Sequence, residues 1–174
     1  IVPASLRSQW RAELDDKFFI PSIILESSNF NHLQKSGTIN PFSHKNSVVI
    51  CSYNFAASNS KELSRIDWDL VVIDEAHRLR NVYKSSNVTA TRLKEALNGK
   101  RKLLLTATPL QNNLMELYGL VSIIDDRVFG DANTYKDMFL RVDNEEIRNM
   151  YLKKRLLSIC KRTLRKQVRE YVPY

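Results

Sequence analysis

Two adjacent carboxylates, Asp74 and Glu75, follow the apolar run Leu70-Val71-Val72-Ile73 and precede Ala76 and His77. In an open α/β sheet, ligands bind outside the carboxyl ends of the strands, which is where this spacing puts the pair. Magnesium prefers oxygen ligands and keeps several of its waters, so one carboxylate at a strand tip, helped by nucleotide phosphates, suits it. A neighbouring carboxylate can then orient or deprotonate an attacking water. Alone, the pair also reads as two solvated side chains at the end of a strand. A second apolar run, Lys102-Leu103-Leu104-Leu105, ends in Thr106-Ala107-Thr108-Pro109. Small hydroxyl side chains there could bond a neighbouring strand-end loop without filling the cleft. By itself this is a Thr/Pro turn before a helix; downstream of the acidic pair it reads as the second half of a site.

The elements that must carry these residues are short. Strands are expected at 1–2, 18–25 (interrupted by Pro21), 48–52, 70–74 and 101–106. The last three are rich in Val, Ile and Leu without alternation, the pattern of strands covered on both faces. Between them, 5–17 carries Leu6, Trp10 and Leu14 on one helical stripe. Residues 88–98 form a helix stopped by Gly99, and 113–124 opens on Asn113 with Glu116 three positions later, a box-like cap. Strands alternating with helices imply a parallel sheet with helices on both faces. The polar stretch 27–47, with Gly37 and Pro41, is expected to be a mobile surface excursion outside the core, holding at most a short helix near Phe30–Gln34.

After Ile124 the pattern becomes helical throughout, at about 132–140 and from about 144 to 169. Wound at 100° per residue, Ile147, Met150, Leu157, Cys160, Leu164 and Val168 share one side, widened by Leu152, Leu156 and Ile159. Arg148, Arg155, Arg162, Arg165, Lys166 and Arg169 share a basic face, either a solvated cationic side or a surface that tracks phosphates.

Composition limits the classes of function. With 174 residues, 43% of them hydrophobic, the chain can bury one sizeable core. Its apolar runs fall short of the ~20 residues of a membrane span, and no leader-like pattern opens it, so neither membrane nor secretion is expected. Cys51 and Cys160 make no disulfide framework; both are expected to pack as buried thiols in a reducing, intracellular setting. His32, His44 and His77 have no zinc-like spacing. The formal charge is +8, and residues 141–174 hold ten Lys/Arg against four Asp/Glu. That balance permits a polyanionic partner such as nucleic acid.

Asp-Glu-Ala-His-Arg-Leu at 74–79, followed by Leu-Thr-Ala-Thr-Pro-Leu-Gln-Asn-Asn at 105–113, resembles the Swi/Snf-type remodelling ATPases of the superfamily-two helicase-like motors. Residues 1–14 resemble that family's motif Ia, 48–57 its motif Ib, and 163–173 the basic segment that closes its first lobe. The resemblance covers nearly the whole chain in the family's order. It implies a RecA-like parallel sheet flanked by helices, of the P-loop NTPase type, with a C-terminal helical appendage. The division it suggests is a partial first lobe over 1–124 and a helical extension over 125–174. It implies that Asp74 holds Mg2+ through water, that Glu75 activates the hydrolytic water and that His77 links the nucleotide to Thr106 and Thr108, which couple ATP state to lobe movement. Ser5, Ser52 and Tyr53 lie in segments that track a nucleic-acid backbone in such motors, and Arg162, Arg165 and Lys166 are candidates for the same task. Gln111 and Asn112 match the motif without a firm role. The implied cofactors are ATP and Mg2+, and the implied partner is double-stranded DNA, with a protein complex on it; the chain itself is expected to be a monomer.

One part of the pattern has no match. The phosphate-binding loop G-x-x-x-x-G-K-[ST] is not found; Gly99-Lys100 is followed by Arg101, has Lys94 where the first glycine belongs, and lies after a helix and before a strand, the reverse of the required context. The resemblance places that loop before Ile1 and the arginine finger in a second lobe, so the chain is expected to be a trimmed part of a larger protein and inactive alone. A strand-separating helicase or restriction-type motor shares the acidic and threonine motifs, and a non-catalytic DNA-binding or scaffold lobe is the other rival. If the basic face tracks phosphates, replacing Arg162, Arg165 and Lys166 with Ala in the full-length protein will weaken DNA binding. It will also flatten log Kd against log salt by roughly 0.9 for each phosphate no longer neutralised; titrations at several salt concentrations measure that slope.

Overall fold

Runs of Val, Ile and Leu too short for long strands produce four brief ones: β1 (Ser22–Leu25), β2 (Val48–Cys51), β3 (Val71–Ile73) and β4 (Lys102–Leu104). The computed structural model describes residues 1–108, 113–142 and 144–161. β1 pairs in parallel with β2, Ser22 opposite Val48 through Leu25 opposite Cys51. β3 pairs in parallel with β4, Val71 opposite Lys102 through Ile73 opposite Leu104. Ile1 and Val2 join the two pairs. Val2 makes a parallel bridge to Ser52 and donates to the Cys51 carbonyl at 3.0 Å. On the other side the Ile1 nitrogen donates to the Val72 carbonyl at 2.6 Å, and the Ile1 carbonyl accepts from the Asp74 N–H at 2.9 Å. The spatial order is therefore β1, β2, residues 1–2, β3, β4, all running one way, so every strand delivers its C-terminal residue to the same rim.

The helices are α1 (Arg7–Phe18), α2 (Ser27–Lys35), α3 (Tyr53–Ser58), α4 (Ser60–Ser64), α5 (Val88–Ala96), α6 (Leu114–Ile124), α7 (Ala132–Phe139) and α8 (Glu145–Leu156), with 3-10 turns at Ala4–Leu6 and Ala76–Leu79. The chain divides into two compact units, 1–129 and 130–174. The first holds the sheet and α1 to α6 around a core that includes Leu25, Ile73, Ala56, Leu93 and Leu97. In the second, α7 buries Tyr135 and Phe139, whose ring centroids lie 5.0 Å apart, and α8 buries Leu152. Local chemistry sets several of the ends. The Asn87, Asn113, Asp131 and Asn144 side chains accept from the first-turn N–H groups of α5, α6, α7 and α8, satisfying donors a helix cannot pair internally. Gly99, at φ 72°, turns the chain out of α5 and into β4.

Five expectations are corrected. Residues 18–20 are not strand: α1 continues through Phe18, Phe19 ends it in the left-handed region at φ 53°, and the strand starts only after Pro21. Residues 27–47 are not an excursion outside the core. A reciprocal capping box between Glu26 and Asn29 starts α2, and Phe30 and Phe42 are 2% and 1% exposed. These two rings meet each other, Phe55 and (through Phe42) Trp68 at centroid distances of 5.3 to 6.2 Å. A few aromatic rings carry enough area to anchor a segment that is otherwise polar. β4 is not covered on both faces among the described residues: Leu103 stays 46% exposed, and the strand is an edge strand paired with β3 alone.

The last helix also differs. α8 stops at Leu156, and Ile147, Met150 and Leu157 are exposed, while Leu152 is buried and Leu156 and Ile159 are half-buried. The residues expected only to widen the apolar side are the covered ones, and α7 is the helix in contact with α8. Cys160 is exposed; Cys51 is buried as expected. Arg162, Leu164, Arg165, Lys166, Val168 and Arg169 lie outside the described residues, as do Gln111 and Asn112. Among the described residues no helix is long and apolar enough to cross a membrane. Because Phe42 belongs to the core, Phe42→Ala should cost about 3–5 kcal/mol of stability, against almost nothing for an exposed loop residue; chemical denaturation of the protein and its variant measures the difference.

Candidate active site

β3 ends at Asp74, and that residue is held at every polar atom. Its N–H donates to the Ile1 carbonyl at 2.9 Å and its carbonyl accepts from the Tyr53 hydroxyl. Its Oδ1 accepts from the Glu75 N–H at 2.9 Å, and its Oδ2 accepts from Trp10 Nε1 at 2.8 Å. Held from several directions at once, the carboxylate has little freedom, while each oxygen keeps a lone pair beyond the one bond it accepts. Burial, with Asp74's charge as the second cause, raises the Tyr53 phenol well above the usual tyrosine range, so it remains a donor.

Glu75 sits at φ 52°, ψ 44°, a left-handed conformation that costs a non-glycine residue on the order of 1–3 kcal/mol and clusters at working sites. The twist breaks the strand and starts the 3-10 turn Ala76–Leu79. Glu75 Oε2 then lies 3.0 Å from His77 Nδ1. The two atoms are close, yet no hydrogen bond joins them and the buried Nδ1 has no hydrogen-bond partner.

β3 and β4 continue together past their last paired residues. The Leu105 N–H donates to Ile73 and the Ala76 N–H donates back to Leu105, both at 2.9 Å. This sets Thr106 beside the acidic turn, and the Thr106 hydroxyl accepts from the Thr108 N–H at 3.2 Å, closing a tight loop. Asp74, Glu75, His77, Thr106 and Thr108 thus share one rim, at the strand ends where ligands of parallel sheets bind. Ser5 lies exposed in the turn after Val2. Ser52 follows β2 and caps α3 by accepting from the Phe55 N–H at 3.3 Å. Tyr53 is 7% exposed and faces inward to Asp74. Arg162, Arg165 and Lys166 fall outside the described residues.

One carboxylate with spare lone pairs and a second beside it are a donor set that fits outer-sphere magnesium. Among the described residues no group of three or more His, Cys, Asp or Glu side chains gathers as an all-protein metal cage.

The family model of the SNF2-related domain matches residues 1–174. The chain belongs to that family. An uncharacterised ATP-dependent helicase of Mycoplasma genitalium is 31% identical over 170 residues, 98% of this chain and 16% of that protein. An ISWI chromatin-remodelling complex ATPase of Saccharomyces cerevisiae is 36% identical over 106 residues, 61% of this chain and 9% of that protein. The chain thus spans a small part of the length of these relatives. The Sulfolobus solfataricus SWI2/SNF2 ATPase core, solved in complex with double-stranded DNA, aligns with a TM-score of 0.71 at 19% identity, covering 93% of this chain and 32% of that one. The RecA-like α/β fold expected from the motifs is the fold observed.

This SNF2-related chain also uses residues to which the motifs gave no role. Trp10 is one of them. It lies in the segment that resembles motif Ia and counts on the helical stripe as an apolar residue; the clue to its role was chemical, since a partly buried indole N–H needs an acceptor. Arg7 lines an open notch with Ser27, Ser28, Ser52, Asn54 and Ser58, and donates to Glu26 at 3.0 Å. Gly119 is another. A Cβ added there would lie 1.9 Å from the Arg80 carbonyl oxygen, so α6 presses its backbone onto the turn that follows His77. Beside this contact Arg80 Nε lies 3.6 Å from Glu116, which is 3% exposed. Since a carbonyl cannot fold away like a flexible side chain, Gly119→Ala should separate α6 from the Arg80 turn. The expected cost is about 1–3 kcal/mol, read as a lower midpoint in thermal unfolding.

Proposed function

We propose that this chain is the hydrolytic half of an ATP-driven motor that acts on double-stranded DNA inside the cell, within a protein that supplies the phosphate-binding loop and a second lobe. The observation that carries the reading is the joining of the acidic turn at Asp74 and Glu75 to the Thr106 loop by the Ala76–Leu105 hydrogen bond, on the rim that also holds Ser5 and the Arg7 notch. Asp74 would hold Mg2+ through water, and the ion, when bound, would neutralise charge on the nucleotide phosphates. Glu75, swung off the strand axis by its left-handed backbone, would accept the proton of the water that attacks the terminal phosphate. His77, whose Nδ1 lies 3.0 Å from Glu75 Oε2, would steady that carboxylate from the far side of the turn. Thr106 and Thr108 would sense whether the nucleotide is intact, because their loop is bonded to the acidic turn.

The DNA-facing part of the reading rests on side-chain chemistry. Exposed Ser5 and the hydroxyls and amide around Arg7 are donors of the kind that bind phosphodiester oxygens, positioning a duplex without reading its sequence. Tyr53, turned inward, would serve as a link from this surface to Asp74. The Sulfolobus core was solved with double-stranded DNA, and the yeast relative is a chromatin-remodelling ATPase, which favours a motor on duplex DNA. The relative named as a helicase supports strand separation as the second reading, and a strand-displacement assay decides between them.

Glu75→Gln in the full-length protein should lower DNA-stimulated ATP turnover by roughly 10²–10⁴-fold while leaving duplex binding intact. Turnover that survives the substitution overturns the assignment. The 174-residue chain alone should show no turnover, because its sequence carries no G-x-x-x-x-G-K-[ST] loop; hydrolysis by that chain, abolished by Glu75→Gln, would count against a separate phosphate loop.

A further inference from the structure

We infer that Trp10 is a positioning residue for the reaction: its indole N–H sets the orientation of the Asp74 carboxylate and ties that orientation to the helix behind Ser5 and Arg7. This rests on the proposed roles of Asp74 and of the Arg7 notch.

The bond is Trp10 Nε1 to Asp74 Oδ2 at 2.8 Å, between residues 64 positions apart. A bond from a neutral N–H to a carboxylate is charge-assisted and stronger than one between neutral groups. The terminal torsion of an aspartate is broad and roughly two-fold, so one bond leaves the plane of the carboxylate loosely set. The Glu75 N–H holds Oδ1, and Trp10 supplies the second fixed point. The Asp74 main chain is secured separately, by Ile1 and Tyr53. A shift of α1 would therefore turn the carboxylate while the strand stays in place.

The alternative, that Trp10 is there for buried area, fits the structure poorly. Trp10 and Trp68 are both half-buried, so what separates them is the partner each indole N–H takes. Trp68 shows what an area-filling tryptophan looks like in this chain: it packs on Phe42 and spends its N–H on the nearby Leu63 carbonyl at 3.0 Å. Trp10 instead spends its N–H on the residue assigned to the metal. One turn before it on the same helix, Arg7 donates to Glu26 and lines the notch, and the turn Ala4–Leu6 carries Ser5. A phosphate backbone held at Ser5 and Arg7 thus bears on the same rigid element that fixes Oδ2. By linkage, metal–nucleotide occupancy must bear on duplex affinity to the same degree.

The test uses the full-length protein in three forms besides wild type: Trp10→Phe, 3-benzothienylalanine at position 10 (the same shape with sulfur in place of N–H), and Trp68→Phe as control. The first readout is the affinity for a fluorescent ADP analogue, measured with and without Mg2+. The second is DNA-stimulated ATP turnover against Mg2+ concentration, and the third is duplex affinity without nucleotide. Both position-10 variants should bind the metal-free analogue like wild type, yet lose roughly ten- to a hundred-fold of the gain that Mg2+ confers, the usual cost of removing an outer-shell partner of a ligand. Half-saturating Mg2+ for turnover should rise in step, nucleotide-free duplex affinity should hold, and Trp68→Phe should match wild type. Wild-type Mg2+ dependence in the benzothienyl variant overturns the inference, whether or not Trp10→Phe is impaired, because shape would then be what matters. An equal loss of metal-free nucleotide or duplex affinity overturns it too, as general damage. If Glu75→Gln abolishes turnover while both position-10 variants behave as wild type, only this inference fails; if Glu75→Gln retains turnover, the proposed function itself has failed.

Discussion

The hydrogen-bonded seat of Asp74 is the constraint on which the rest of the rim depends. Its N–H, carbonyl and two carboxylate oxygens are each taken by a different part of the chain: Ile1, Tyr53, Glu75 and Trp10. Three of these partners come from segments that follow other strands or belong to them, so the seat exists only when residues 1–2 lie between β2 and β3. A buried parallel sheet is a rigid support for such a seat, since its strands cannot slide by one residue without turning their apolar side chains to the wrong face. The strain at Glu75 is tolerated for the same reason. Asp74 is bonded on one side of it and Ala76, through Leu105, on the other, so the left-handed residue cannot relax.

Support from beneath comes through α6. The close approach of Gly119 to the Arg80 carbonyl and the Arg80–Glu116 pair attach the turn after His77 to the helix that follows the Thr106 loop. The acidic and threonine segments are thus joined at their tips by a backbone hydrogen bond and again below them by helix packing. Tightly packed interiors have few intermediate arrangements and pass displacement on rather than absorb it. The relatives include an ATP-dependent helicase and a chromatin-remodelling ATPase, and under the function proposed for this rim such stiffness suits the wall of a nucleotide site.

Elsewhere the chain spends its apolar residues sparingly. Phe30, Phe42, Phe55 and Trp68 make one aromatic cluster that holds α2 and the polar stretch after it onto the sheet. In the unit 130–174, Tyr135 and Phe139 are the buried rings of α7, and burial raises the Tyr135 phenol well above its ordinary range. In both units a handful of large rings replaces the long apolar faces that pattern reading looks for.

Local chemistry is what the sequence determined without help. The unalternating runs before Asp74 and after Val48 are strands, Asn113 starts α6 and Gly99 ends the turn after α5, because caps, left-handed glycines and apolar runs act within a few residues. The order of the motifs was enough to expect the RecA-like sheet and to expect Asp74 and Thr106 on one rim. What only the tertiary structure decided depends on direction across many residues. Periodicity counted Trp10 as apolar and could not show that its N–H points to Asp74, Tyr53 was placed on the DNA side although its hydroxyl turns inward, and Phe42 looked like part of a loop. The same limit explains α8, whose packed side is Leu152 rather than Ile147: several residues along it are apolar, and which side is covered depends on where α7 lies, not on the spacing of the helix itself.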